Sequence, residues 1–144
     1  MARVQVVLPD NFNYTTEISI RISDINYGGH AGNDAILSLA HEARVRFFNK
    51  AGYSELNIEG IGTIITDAAI EYKSELFYAE ILNVSVKAIN FSKAGFELYY
   101  KMEKKSGDKR ILVAKVKTGV LGYDYNKKKI ASIPETAIQS LQNL

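Results

Sequence analysis

The chain of 144 residues contains no cysteine. Disulfide frameworks, cysteine nucleophiles and cysteine-ligated metal sites are therefore excluded. Proline is nearly absent too: Pro9 and Pro134 stand near the two ends, so nothing breaks the interior. No apolar run reaches the ~18 residues that a transmembrane helix requires. The opening Met1 to Asp10 lacks a long apolar stretch and a small-residue cleavage site, so it does not read as a secretory leader. A cytoplasmic location is the expectation, with no membrane partner. Histidine occurs twice, at His30 and His41, and neither has a second histidine at ligand spacing. No serine elbow and no phosphate-binding glycine fingerprint is found, so neither metal nor cofactor is expected.

What is present is an ordinary globular composition, 47% apolar and 24% charged, in a length that suits one domain over residues 1–144. Net charge is only +2, which gives no reason to expect nucleic acid. The basic residues are nonetheless uneven. Lys101, Lys104, Lys105, Lys109, Arg110, Lys115, Lys117 and Lys127 to Lys129 crowd the last third. They serve either as solubilising and edge-protecting charge or as a patch for the phosphates of a polyanionic ligand.

Thr15 to Ile22 alternates, with Ile18, Ile20 and Ile22 on one face, and predicts a half-buried strand. A loop follows with three glycines, Gly28, Gly29 and Gly32. Asn33 reads as an N-cap, and Asp34 suits the positive end of a helix. Ile36, Ala40, Ala43, Phe47 and Ala51 then form the apolar stripe of the one long helix, which stops near Gly52. Four strand-like segments follow: Ile61–Lys73, Ile81–Asn90, Gly95–Glu103 and Arg110 to about Tyr123. The turns at Ser92–Gly95 and Lys105–Asp108 imply antiparallel hairpins. Pro134 and Glu135 open a short C-terminal helix. The order predicts an α+β fold, a five-stranded antiparallel sheet wrapped around the single long helix.

The chemistry concentrates in Ser23 to Asn33, which holds a carboxylate, an amide, an imidazole and the three glycines. Asp24, Asn26, Gly29, His30 and Asn33 match the spacing Asp-x-Asp-x-x-Gly-His-x-Asn-Asn, and Glu42-Ala43-Arg44, Phe47 and Tyr72 follow in keeping. The chain thus resembles the 4-hydroxybenzoyl-CoA thioesterase family, whose fold is the hot-dog. The resemblance implies hydrolysis of acyl-CoA thioesters, with coenzyme A as part of the substrate. It also implies a homodimer, or a dimer of dimers, with sites at the interface. Two positions depart from the pattern: Asn26 stands for the second aspartate, and Gly32 for the first asparagine.

An amide cannot act as a carboxylate base, so Asp24 or another carboxylate, Glu42 or Asp67, must activate water. Asn26 is expected to position water or substrate, and His30 to donate a hydrogen bond or act as base. The backbone N–H groups of Gly29 and His30 are expected to meet the developing oxyanion. Gly32, Asn33, Asp67 and Tyr72 are expected to line the substrate site. Structural readings stand beside these: Asp24 and Asn26 as turn formers, Glu42–Arg46 as a surface ion pair, and Arg44 as a side chain that snorkels or pairs with a carboxylate. Two other functions compete, a non-catalytic acyl-CoA or acyl-carrier-protein binder and an enoyl-CoA hydratase. The hydratase pattern Asp-x-Asn-Pro-x-His would need proline and a histidine one position earlier than His30.

Overall fold

A computed structural model describes residues 1–144. Tyr14–Ser19 forms β1 and Asn33–Lys50 forms α1. Four long strands follow: β2 (Gly62–Tyr72), β3 (Ile81–Ile89), β4 (Gly95–Ser106) and β5 (Lys109–Asp124). The two-residue β6 (Lys129–Ile130) and the helix α2 (Glu135–Gln142) complete the chain.

The strands pair antiparallel in the order β1-β3-β4-β5-β2, with β6 added beside β5. The expected five strands are therefore present, and β6 makes a sixth. Because β1 and β2 lie at opposite edges, the helix that joins them must cross the sheet. The apolar alternation of β3 and β4 faces it: Leu82, Val84, Val86, Leu98, Tyr100 and Met102 are fully buried. The register aligns Val86, Tyr100, Val116 and Ile70 in one row beneath the helix. From above, α1 contributes Ile36, Leu39, Ala40, Ala43 and Phe47. This is the hot-dog arrangement, an α+β fold with one long helix held by a sheet.

Three local expectations change. Ile22 leaves the apolar face and is 72% exposed, because the strand ends at Ser19 and Ile22–Asp24 forms a single 3-10 turn. The Asp24 carboxylate forces that turn by accepting the Arg21 N–H at 2.8 Å. Asn33 is the first residue of α1, and its N-cap is Gly32, which offers no side chain to the helix end. The buried face of α1 is also wider than one stripe, for Phe48 and Arg44 are inside as well.

The residues ahead of β1 cross the outer face of the sheet as a strap. Ser85, Lys101, Lys115 and Glu71 are register partners in one row across β3, β4, β5 and β2. The strap follows this row. The Thr15 hydroxyl bonds Ser85, the Phe12 ring lies 5.1 Å from Lys101 Nζ, and Lys115 Nζ donates to the Val6 carbonyl at 3.1 Å. The Val6 N–H donates to the Glu71 carboxylate, and the Val6 residue is buried.

Candidate active site

The loop between β1 and α1 is closed by its own backbone. Ile25 and Ala31 form an antiparallel bridge, Asn26 N–H donates to the His30 carbonyl at 2.9 Å, and Gly29 N–H donates to the Asn26 carbonyl at 3.0 Å. Gly29 has φ +85, a left-handed conformation that glycine adopts without side-chain penalty. Asp24 holds the base of the loop. Its carbonyl accepts the Gly32 N–H at 3.1 Å while its carboxylate, only 6% exposed, accepts from Arg21. The turn-forming role of Asp24 is therefore realised in full.

His30 and Tyr72 sit on one side of the helix start. His30 Nδ1 lies 3.1 Å from the Ala31 carbonyl, so Nδ1 carries the proton and Nε2 is left without a protein partner. The Tyr72 hydroxyl donates to the Asn33 carbonyl at 3.0 Å. Burial pushes the Tyr72 phenol up, and the negative charge of Asp34 adds to the effect, which keeps this hydroxyl a donor. Both residues line a cleft of about 310 Å³ with Asn33, Ile36, Lys73 and Leu76. On the other side, Asp24, Asn26, Asp34 and Ser38 line a cleft of about 350 Å³. The two clefts meet at the first turn of α1.

Not every expected group reaches this point. Glu42 lies further along α1 in a larger cleft of about 500 Å³ against β1, where its carboxylate pairs with Arg46 at 2.8 Å. That cleft also holds Glu17, Arg21, Asp24 and His41 but only three apolar residues, a poor wall for an acyl chain. Asp67 shares a strand face with Glu71, which lies under the strap, whereas Tyr72 turns toward α1. Asp67 thus points to the outer face, where Lys117 binds it at 2.9 Å and holds its carboxyl below the usual range. The structure therefore does not bring Asp67 together with the residues at the helix start: the two-residue repeat of β2 turns it to the opposite side of the sheet.

The oxyanion donors are also redistributed. The Gly29 N–H is consumed within the turn, while the N–H groups of His30, Asn33 and Asp34 donate to no acceptor in the chain. The last two are the unsatisfied donors that every helix start presents. Asp34, expected from the sequence only as a helix-end charge, stands in the first turn of α1 beside the loop. No three His, Asp or Glu side chains converge as a metal site.

The basic residues of the last third are largely spent internally. Lys104 bonds Glu80 and the Glu75 carbonyl, Lys115 pairs with Glu71, Lys117 with Asp67 and Glu97, and Arg110 with Glu103. Lys105, Lys109 and Lys127 to Lys129 remain without an ion pair, at hairpin ends.

A sheet-wrapped helix with a glycine-rich loop at its start defines a hot-dog protein. Residues 20–141 match the thioesterase-like superfamily, and the chain belongs to it. Its fold is similar to that of a 1,4-dihydroxy-2-naphthoyl-CoA thioesterase from Synechocystis, at 19% identity and a TM-score of 0.78 over 90% of this chain and 95% of that one. It is similar as well to the 4-hydroxybenzoyl CoA thioesterase of Pseudomonas sp. strain CBS-3, at 15% identity and a TM-score of 0.78 over 90% and 99%. An aspartate-to-asparagine mutant of a 4-hydroxybenzoyl CoA thioesterase, complexed with 4-hydroxybenzoyl CoA, aligns at 17% identity and a TM-score of 0.80 over 89% and 97%. No curated protein matches the sequence.

Proposed function

We propose that the protein hydrolyses acyl-CoA thioesters, releasing free coenzyme A and a carboxylic acid. The observation that carries this reading is the first turn of α1. There, unbonded N–H groups of Asn33 and Asp34, the Asn26 amide, a polar cleft and a more apolar one come together. A thioester carbonyl attacked by water gathers negative charge on its oxygen, and free N–H groups at a helix start stabilise that charge. Asn26 positions water or the carbonyl, and Gly29 holds the loop that carries it. His30 and Tyr72 border the acyl side, with Ile36 and Leu76 as apolar wall. Coenzyme A departs as product, and no further cofactor enters the scheme.

The working unit in this reading is a homodimer, alone or as a dimer of dimers, in the cytoplasm. Its support is β2, an edge strand of eleven residues whose Ile65, Thr66 and Ala68 are exposed. An open edge of that length invites pairing with a second copy. Tyr72, at the end of β2, then brings the interface beside the helix start.

A panel of short, long and aromatic acyl-CoAs, followed by free-thiol release, tests the activity. Thiol appears with at least one class of substrate. Binding of the whole panel without turnover refutes hydrolysis and favours the non-catalytic binder. That second reading rests on Asn26 and on the neighbouring mutant, which carries asparagine for aspartate and was captured with its thioester bound. Hydration of crotonyl-CoA in place of thiol release would favour the hydratase.

A further inference from the structure

The two departures from the motif, Asn26 and Gly32, lie beside the same carboxylate, that of Asp34, which shares a cleft with Asn26. A Cβ on Gly32 would lie 2.5 Å from Asp34 Oδ1, so the exposed Asp34 carboxylate keeps this position only while residue 32 has no side chain and would swing aside for one. The same point is 3.4 Å from Asn26 Cβ and 3.6 Å from Asn26 Nδ2. Gly32 needs no unusual backbone, for its φ is −69. What it provides is space, and Asp34 and Asn26 close over it together. The buried Gly32 is thus the floor on which a carboxylate and an amide stand side by side.

Their hydrogen bonding is uneven. Asn26 Oδ1 accepts the Gly28 N–H at 2.9 Å, which fixes which end of the amide is which. Its Nδ2 is left as a donor without acceptor, on the side of Asp34. The Asp34 carboxylate has neither an ion pair nor a hydrogen bond, whereas Asp24 is held by Arg21, Glu42 by Arg46 and Asp67 by Lys117. An acid in the first turn also suits the helix dipole. That role requires neither a missing Cβ at Gly32 nor an open amide donor at Asn26.

We infer that Asp34 is the general base of the proposed hydrolysis, replacing the carboxylate that the motif places where Asn26 stands. The inference rests on the acyl-CoA hydrolase reading above. Asn26 Nδ2 and the Asp34 carboxylate hold one water between them. Asp34 takes a proton from that water as its oxygen bonds to the thioester carbon. The carbonyl electron pair moves to oxygen and faces the free N–H groups of the helix start. When it returns, the carbon–sulfur bond breaks, the electron pair leaves with sulfur, and the proton held by Asp34 goes to the coenzyme A thiolate. One thioester and one water become one acid and one thiol.

The test is a carboxylate exchange, assayed as thiol release from the best acyl-CoA of the panel. Asp34→Asn lowers kcat by about a hundredfold or more with KM little changed, as loss of a general base does. Asn26→Asp combined with Asp34→Asn, which moves the carboxylate across to the motif position, restores at least about tenfold of that loss. Gly32→Ala, whose methyl displaces the Asp34 carboxylate from its place beside Asn26, lowers kcat in the same direction. Folding of each variant is checked by thermal melting. If Asp34→Asn keeps kcat within about threefold of the parent, or if the exchanged pair regains nothing while folded, the inference falls and the hydrolase reading stands. Absence of thiol release from the parent protein on every substrate overturns both.

Discussion

Arg44 illustrates what one side chain settles that composition cannot. Its guanidinium is almost buried beneath α1, with Nε donating to Glu55 at 2.5 Å and a second nitrogen to the Tyr100 hydroxyl at 3.1 Å. Tyr100 in turn meets Thr118 at 2.8 Å, and His41 reaches the other Glu55 oxygen at 3.0 Å. The network ties α1 to β4, β5 and the segment after the helix. Burial alone would raise the Glu55 carboxyl, but the bonds from Arg44 and His41 outweigh it and hold it below the usual range. A carboxyl lowered by folding stabilises above its unfolded pKa of about 4.3 and loses that contribution as pH falls. Glu55→Ala, which strands the cation, is expected to cost about 2–4 kcal/mol, less than a wholly buried pair because Glu55 is partly exposed. Tyr100→Phe is expected to cost about 1–2 kcal/mol. Urea unfolding at pH 7 checks both, and Glu55→Gln should flatten the acid limb of the stability curve. The sequence placed Arg44 at the rim of the apolar stripe and gave it a carboxylate partner or a snorkelling role. Glu55 itself was not legible, because eleven residues and a turn separate the two and no periodicity links them. Asp34 was read only as a helix-end charge for a related reason: a position in the chain does not reveal which side chains lean over a glycine.

At the scale of elements, strand alternation and turn residues located every long strand to within a few residues. The alternation of β3 and β4 could be read because each has one buried and one polar face. The outward turn of Asp67 was harder, since a bulge between Ile65 and Asp67 shifts the register of β2. The strap was not legible at all. Met1 to Asn13 has no periodicity, and what holds it is a row of side chains on four other strands. Its Glu71 anchor has a testable consequence. The Val6 N–H, first, and then Lys73 lower the Glu71 carboxyl to about 2. The anchor is therefore whole above about pH 4.3 and is lost as pH falls toward 2. Amide exchange at Val6 should quicken across that interval in the parent protein. In Glu71→Gln it should already be fast at neutral pH. Slow, pH-independent exchange in both would show that the strap is held by its apolar contacts alone.

For the whole molecule, one long helix among antiparallel strands left few arrangements that bury both faces of the problem. The fold was therefore more legible than the site, whose clefts depend on how β2 and the loop after β1 approach α1. The open edge of β2 belongs to this scale as well. Ala68→Glu places like charges opposite one another if two copies pair there. Light scattering after size exclusion should report loss of the dimer, together with loss of activity per chain because Tyr72 sits beside the joined edge. A dimer that survives this change uses another surface.

The strap also bears on how the protein should be handled. Met1 to Gln5 border a hollow formed with Ile70, Glu71, Tyr72 and Lys73, and the last two of these also line the His30 cleft. Whatever is joined ahead of Met1, a purification tag included, starts from this hollow, two of whose residues also border the proposed acyl pocket. Kinetic constants taken on an amino-terminal fusion would then mix chemistry with obstruction, and a carboxy-terminal handle is the one that leaves the entrance as it is.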